Sequence, residues 1–142
     1  MDIKKAVLSL GILSLGTSLV AGDVTINIKG LKSSKGQVIV GYWTKADGFL
    51  DKMEKVAAKQ AAQISGNAAT VVFRNVAPGV CAFNLIHDEN GNGKMDTNFI
   101  GIPKEGFGCT NDPRPKMRAP KFDEAKVNVG AAGAAYTINA AY

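Results

Sequence analysis

A polar segment near the middle of the chain, residues 87–96, carries the side chains best suited to bind a hard metal ion. Oxygen donors stand at the first, third, fifth and ninth positions of an EF-hand-type spacing, with a glycine and a backbone carbonyl at the sixth and seventh: Asp88, Asn90, Asn92, Asp96, Gly93 and Lys94. In a tightly wound loop, alternate side chains converge on one point, and glycine permits the sharp reversal. Because carboxylate, amide and carbonyl oxygens suit Ca²⁺, the spacing predicts a calcium loop over residues 88–96.

The shell of this loop is incomplete at its twelfth position, where Phe99 stands in place of the usual bidentate glutamate. Glu105, in the turn that follows, is the nearest carboxylate that could close the shell, and water is the other candidate. Because Asp88 and Asp96 are the only charged side chains among the loop's ligands, we expect weak affinity, with a Kd of about 10⁻⁴–10⁻³ M. The alternative is a metal-free turn, since two successive Asn-Gly pairs are a strong turn signal by themselves.

His87 is the only histidine in the chain. It could ligate a transition metal or act as a base beside Asp88, Glu89 or Glu105, as in a metal-assisted hydrolase. The alternative is that an inward-facing histidine at the end of a strand braces a loop through hydrogen bonds. No Ser-His-Asp, Cys-His or paired-carboxylate signature is evident, so the sequence designates no catalytic residue and favours a binding module over an enzyme.

Three further features are candidates for contacts with a ligand. Lys104 precedes Glu105 in the turn after the loop, and Trp43 with Tyr42 could form a platform for stacking sugars. Adjacent strand residues point to opposite faces, however, so at least one of these two aromatics is expected in the core. Five basic residues lie within 114–126 and could form an anion-binding strip, with a solvated loop as the alternative: Arg114, Lys116, Arg118, Lys121 and Lys126.

The amino-terminal residues 1–22 have the three parts of a secretory signal. Lys4 and Lys5 precede an apolar run over 6–15, and small residues follow, with cleavage expected after Ala21 or Gly22 and Gly22 preferred. The alternative, a membrane anchor, would need roughly 18–20 apolar residues, and this run is shorter. We therefore expect an exported protein, periplasmic or extracellular, whose mature part is one domain over residues 23–142 without a transmembrane segment.

The chain is basic, with a formal net charge of +5. Removal of residues 1–22 takes away two lysines and one aspartate, so the mature part keeps a charge of +4. Outside the cytoplasm such a charge favours anionic lipid headgroups, wall polymers or other envelope components over nucleic acid. A surface that is merely basic and solvated is the alternative.

The remaining segments read as short strands separated by turns, with at most one short helix. Val24, Ile26 and Ile28 alternate with polar residues, and the first two strands, 24–29 and 37–43, are predicted to form a hairpin. A helix is predicted near Leu50–Lys59, then strands at 62–64, 70–76, 80–87, 125–129 and 135–140, with a long functional loop over 88–120. The pattern predicts an antiparallel two-sheet β-sandwich, with a small closed barrel as the alternative.

Cys81 and Cys109 are the two cysteines of the chain. In the strand 80–87, Cys81 shares a face with Phe83, Leu85 and His87, which marks that face as the core side. An even count in an exported domain predicts a disulfide between the two cysteines, and the alternative is two buried free thiols.

Three runs of the sequence resemble one known family. They are Gly79–Ala82, HDENGNGKMDTNFIGIPKEGFG over residues 87–108, and APKFDEAK over residues 119–126. Together they are similar to the bacterial exported family catalogued as domain of unknown function 2141. The resemblance implies a transthyretin-like or carboxypeptidase-regulatory-like β-sandwich and marks residues 87–108 as the site, without an established activity. Cys81 and Cys109 depart from the family pattern together, which fits a disulfide private to this chain.

These observations favour a binding or scaffolding module, ordered by calcium, that presents its long loop to a glycan, a peptide or an envelope partner. The alternatives are an anion-binding surface over residues 114–126 and, less favoured, a metal-assisted hydrolase built on His87.

Overall fold

The structure, a computed structural model, describes residues 21–142. Of the predicted signal at residues 1–22, only Ala21 and Gly22 lie within the described part. Eight strands are present: β1 Gly22–Lys29, β2 Gln37–Trp43, β3 Ala58–Gln63, β4 Ala69–Val76, β5 Gly79–Asp88, β6 Gly106–Cys109, β7 Val127–Val129 and β8 Ala134–Asn139. A 3-10 turn over Met53–Lys55 and one four-residue helix, α1, over Phe122–Ala125 complete the elements.

The strands form two sheets, which confirms the mainly β class and the two-sheet arrangement. The smaller sheet has the order β4-β1-β8 and the larger the order β3-β2-β5-β6, with β7 pairing with the first residues of β5. The pair β1–β8 is parallel, whereas the sequence pattern predicted antiparallel sheets throughout. Side-chain alternation is the same in both kinds of pair, so the pattern could not distinguish them. No helix in the described part of the chain is long and apolar enough to cross a membrane.

The core lies between the two sheets. The alternating residues Val24, Ile26 and Ile28 of β1 are at most 1% exposed, as their spacing predicted. At its centre Phe83 of β5 packs against the rings of Tyr42, Phe73 and Tyr136, at centroid distances of 5.3, 5.4 and 6.4 Å. Because Phe73 and Tyr136 belong to the smaller sheet, this aromatic cluster joins the two layers.

A second, smaller core covers the outer face of the larger sheet. Ala82, Cys109 and Ala125 are buried there beneath the half-buried side chains of Phe49, Leu50 and Phe122. This cluster fixes α1 and the segment after β2 against β5, on the side of β5 opposite the main core.

Three predictions about individual elements were wrong. β1 and β2 are consecutive but belong to different sheets, so they do not form a hairpin. The helix predicted over Leu50–Lys59 is only a 3-10 turn over Met53–Lys55. β3 begins at Ala58 because its backbone pairs with β2, with Ala58 opposite Tyr42 and Gln63 opposite Gln37. The loop predicted over 88–120 contains β6, which pairs with β5.

Candidate functional site

The polar loop, residues 89–105, connects the adjacent antiparallel strands β5 and β6. His87 of β5 lies opposite Gly106 of β6, so the loop starts and ends at the same edge of the larger sheet. The connection after β1, residues 30–36, and the carboxyl-terminal residues lie beside it, since Lys35 and Tyr142 both contact His87. The sheet therefore holds the base of the loop while its middle faces solvent.

Asp88 organises the first half of the loop from a fully buried position. One carboxylate oxygen accepts a hydrogen bond from the backbone N–H of Asn92 at 3.1 Å, and the other from Gly93 N–H at 2.9 Å. Gln37 of β2 donates a third hydrogen bond from its side-chain amide at 3.0 Å. A buried carboxylate without such donors would be costly, so these contacts stabilise the wound conformation of the loop.

Asn90, Asn92 and Asp96 converge, as their spacing predicted. Both asparagine amides donate to the Asp96 carboxylate, Asn92 at 2.7 Å. The carbonyl oxygens of the same side chains accept backbone N–H groups, Asn90 from Asn92 at 3.1 Å and Asn92 from Lys94 at 3.0 Å. Hydrogen bonds from Asn92 and Asn90 hold the pKa of Asp96 below its ordinary value, because they favour the charged carboxylate.

Glu105, the last residue of the loop, ties its start and its middle together. It is only 6% exposed, and its two carboxylate oxygens accept the backbone N–H groups of Glu89, at 2.8 Å, and Asp96, at 3.1 Å. The sequence indicated Glu105 as a candidate to close a calcium shell, with water as the alternative. The structure adds a bracing role that spacing did not reveal.

Among residues 21–142, no three His, Cys, Asp or Glu side chains are grouped closely enough to hold a metal ion. The three carboxylates of the predicted ligand set, Asp88, Asp96 and Glu105, would therefore have to move closer to bind one ion together, and a site without Glu105 would rely on amide, carbonyl and water oxygens beside the two aspartates.

His87 is fully buried and uses both ring nitrogens in hydrogen bonds. Nε2 lies 2.7 Å from the carbonyl oxygen of Lys35, which can only accept, so Nε2 carries the proton. Nδ1 lies 2.6 Å from the Tyr142 hydroxyl, and that hydroxyl accepts from the backbone N–H of Lys32 at 3.1 Å. The histidine thus ties the 30–36 connection and the carboxyl terminus to β5.

An open cleft of about 450 Å³ lies between the polar loop and the 30–36 connection. Lys104, a predicted ligand-binding residue, lines it together with Lys35. Its other lining residues are also polar or charged: Glu89, Asn90, Asp96, Thr97 and Glu105. The cleft is therefore suited to polar groups that can exchange hydrogen bonds with both lysines and carboxylates.

Trp43 does not line this cleft and is a core residue. It is fully buried, its indole N–H donates to the Asn84 side-chain oxygen at 2.7 Å, and its ring packs edge-on against Phe49. No face of the ring is open to a surface ligand. Of the two aromatics considered for a sugar-stacking platform, Trp43 is therefore a core residue.

Cys81 and Cys109 are both buried free thiols in the structure. Cys81 belongs to the main core beside Phe83, whereas Cys109 lies opposite Asn84 and belongs to the outer cluster with Ala82. Since odd- and even-numbered residues of β5 point to opposite faces, the two thiols lie on opposite sides of the larger sheet. The disulfide predicted from the even count stays a prediction, and this geometry favours the free-thiol alternative.

Much of the basic charge over residues 114–126 is engaged locally. Arg118 forms two hydrogen bonds with the Glu124 carboxylate, at 2.8 and 2.9 Å, and Lys126 lies 3.2 Å from Asp123. Arg114 donates to the carbonyl oxygen of Asn139 at 2.7 Å. The segment presents less free positive charge than its composition indicated.

One surface feature escaped the sequence analysis. Phe99, Ile100 and Ile102 are 99%, 64% and 53% exposed at the outermost turn of the loop. The available signal in the sequence was three large apolar residues within four positions of a polar loop. The EF-hand-type spacing drew attention to Phe99 only as the residue in place of a metal ligand.

Comparison with known proteins agrees with the resemblance noted above. No curated protein and no solved structure matches the chain. The model of a family described as "Uncharacterized protein conserved in bacteria (DUF2141)" matches residues 26–137, which include the whole polar loop and every strand except the beginning of β1 and the end of β8. The chain therefore belongs to this uncharacterized bacterial family.

Proposed function

We propose that this protein is an exported binding module whose loop 88–96 takes up calcium weakly and, once ordered by the ion, presents the adjoining cleft to an envelope partner, glycan or peptide. The observation that carries the proposal is the convergence of the loop's oxygen-bearing side chains. Asp96 meets the side chains of Asn90 and Asn92, while Asp88 binds the backbone of the same turn.

The donor set fits a hard, loosely coordinated cation. Asp88, Asn90, Asn92 and Asp96 would supply side-chain oxygens and Lys94 its carbonyl oxygen, with Glu105 or water completing the shell. The asparagine amides now stabilise the charged Asp96 carboxylate through N–H groups, and a cation bound there would take over that role. Calcium would thereby tie the two halves of the loop together by direct bonds.

Export is part of the same proposal, because weak sites of this kind suit compartments where free calcium is high. Gly22 pairs with Val76 as part of β1, which supports cleavage after Ala21 rather than after Gly22. Mass spectrometry of protein recovered from the exporting host should find Gly22 at the amino terminus. Recovery of a chain that still begins at Met1 would contradict export by this signal.

The two other candidate functions have less support. An anion bound over residues 114–126 would compete with Glu124 and Asp123 for Arg118 and Lys126, two of the five basic residues of the strip. A hydrolase built on His87 would need a base or ligand open to substrate, and both ring nitrogens are occupied in the core.

The calcium site is tested by thermal unfolding in EDTA, in excess Ca²⁺ and in excess Mg²⁺. At a hundredfold excess over Kd, calcium should add about 2.7 kcal/mol to the free energy of unfolding, a shift on the order of ten degrees. Asp96→Asn should abolish the shift, and it is preferable to a change at Asp88, whose burial makes any substitution destabilising. Asp123→Asn removes an exposed carboxylate in α1 and should keep the shift.

Isothermal titration of the same three proteins provides a direct readout of binding. Calcium uptake at millimolar concentration by the wild type and by Asp123→Asn, but not by Asp96→Asn, would support the site. If the wild type neither binds calcium nor gains stability from it, the loop is a metal-free turn.

A further inference from the structure

The outermost turn of the polar loop, residues 97–103, displays an apolar tip formed by Phe99, Ile100 and Ile102. Phe99 is almost as exposed as in an extended chain, and its two neighbours have more than half of their surface in water. Single exposed apolar residues are ordinary, but a contiguous cluster at the end of a projecting turn indicates a contact surface.

Hydrogen bonds within the turn hold these side chains outward. The Asn98 side-chain oxygen accepts the N–H groups of Ile100 and Ile102, at 3.0 and 2.9 Å. Asn98 N–H bonds to the Ile102 carbonyl at 2.9 Å, and Gly101 N–H bonds to the Asn98 carbonyl at 3.0 Å. The apolar tip cannot fold back onto the protein without breaking this set.

The same hydrogen bonds lower the free-energy cost of moving the backbone of the turn out of water. Four of its backbone N–H groups, those of Asn98, Ile100, Gly101 and Ile102, already have partners, and Pro103 has none to satisfy. An unsatisfied backbone group is costly in hydrocarbon, so these four bonds lower the cost of entering a lipid layer relative to an open loop.

Two lysines flank the turn in sequence. Lys94 precedes it and Lys104 follows it, and neither forms an ion pair among the residues that the structure describes. Lys35, at the far wall of the cleft, is also exposed. A short apolar insertion gives only weak, reversible attachment, and basic residues beside it add attraction to anionic headgroups.

We propose that the apolar tip inserts into the surface of an anionic lipid bilayer, with Lys94 and Lys104 contacting the headgroups. A protein partner is less well matched, because three side chains offer far less than the roughly 800 Å² per partner of a stable interface. The proposal does not depend on calcium; it rests on the apolar tip, and it shares Lys104 with the lining of the cleft.

The test is co-sedimentation of the protein with vesicles of phosphatidylcholine alone and of phosphatidylcholine with 30% phosphatidylglycerol, in EDTA at about 50 and 200 mM salt. Phe99→Ser/Ile102→Ser should weaken partitioning into the anionic vesicles at least tenfold. Val80→Ser is the matched control, because Val80 is 52% exposed at the opposite end of β5 and should leave partitioning unchanged. The wild type, the Phe99→Ser/Ile102→Ser variant and the Val80→Ser control have the same amino-terminal residues. A difference in partitioning between them therefore reports the substituted side chains.

The lysine contribution is tested by Lys94→Gln/Lys104→Gln, which should remove most of the preference for anionic over neutral vesicles and most of the salt dependence. Equal melting temperatures would show that the variants fold. Absence of wild-type binding to anionic vesicles, or equal binding by the Phe99→Ser/Ile102→Ser variant, would overturn the proposal. A concentration-dependent dimer that this variant dissociates would identify a second copy as the occupant and likewise overturn it.

Discussion

At the residue scale, the adjacent side chains of His87 and Asp88 stabilise different neighbours because they point to opposite faces of β5. His87 contacts Lys35 and Tyr142, which lie in segments remote from it in sequence. Asp88 binds the backbone of the turn that immediately follows it, together with Gln37. Polar groups at the end of this strand therefore hold three separate connections in one arrangement.

The two cysteines lead to the prediction at this scale. Burial raises the pKa of the Cys81 thiol to about 11 and that of Cys109 to about 12, so neither forms an appreciable amount of reactive thiolate at neutral pH. We expect no reaction with a thiol reagent in the native protein and two reactive thiols after denaturation without reductant. Mass spectrometry of the labelled protein counts them. No label after denaturation would instead establish the disulfide.

At the element scale, α1 shows how a very short helix is held in place. Glu124 accepts two hydrogen bonds from Arg118 and one from the backbone N–H of Lys121 at 2.8 Å, which caps the first turn. The buried Ala125 then fixes the helix against β5 through the outer cluster. The composition of residues 114–126 suggested that their basic side chains could bind anions. Arg118 instead stabilises the local structure around α1.

The pH dependence of stability provides the prediction for this element. Hydrogen bonds from Arg118, and then from the Lys121 backbone, lower the pKa of Glu124 from 4.5 to about 2. A lowered carboxylate pKa stabilises the folded state above pH 4.5, and the contribution is lost as the pH falls from about 4.5 to about 2. Glu124→Gln should therefore lower the melting temperature slightly at pH 7, with the difference vanishing near pH 2.

The control for this prediction is Glu54→Gln in the 3-10 turn. Glu54 is exposed and has no ion-pair partner among the described residues, so its substitution should change the melting temperature little at any pH. A Glu124→Gln difference that does not depend on pH would contradict the assigned role of the Arg118 contact.

At the scale of the whole molecule, one aromatic cluster joins the two sheets. Phe83 is fully buried and contacts rings from both layers, so its removal would leave a cavity at the centre of the sandwich. Phe83→Ala should reduce the free energy of unfolding by about 3–5 kcal/mol. Val80→Ala, on the same strand but half exposed, should change it by less than about 0.5 kcal/mol. Denaturant unfolding measures both, and similar small losses would contradict the described packing.

The sequence by itself determined those features that depend on neighbours along the chain. Alternation identified the buried face of β1, because the side-chain period of a strand is a local property, whereas β5 is buried on both faces. The convergence of Asn90, Asn92 and Asp96 was also predictable, since these residues lie within seven positions of one another in a wound loop. Recognition of the family rested on the same contiguous motif.

Only the tertiary structure decided which strands pair and which distant groups meet. Every extended segment offers the same backbone donors and acceptors, so alternation could not reveal that β1 pairs in parallel with β8 instead of with β2. Pairing with β2 made residues 58–63 a strand despite their helical composition. The partners of His87, 52 and 55 residues away, became neighbours for the same reason: they are brought together by packing, which local spacing does not encode.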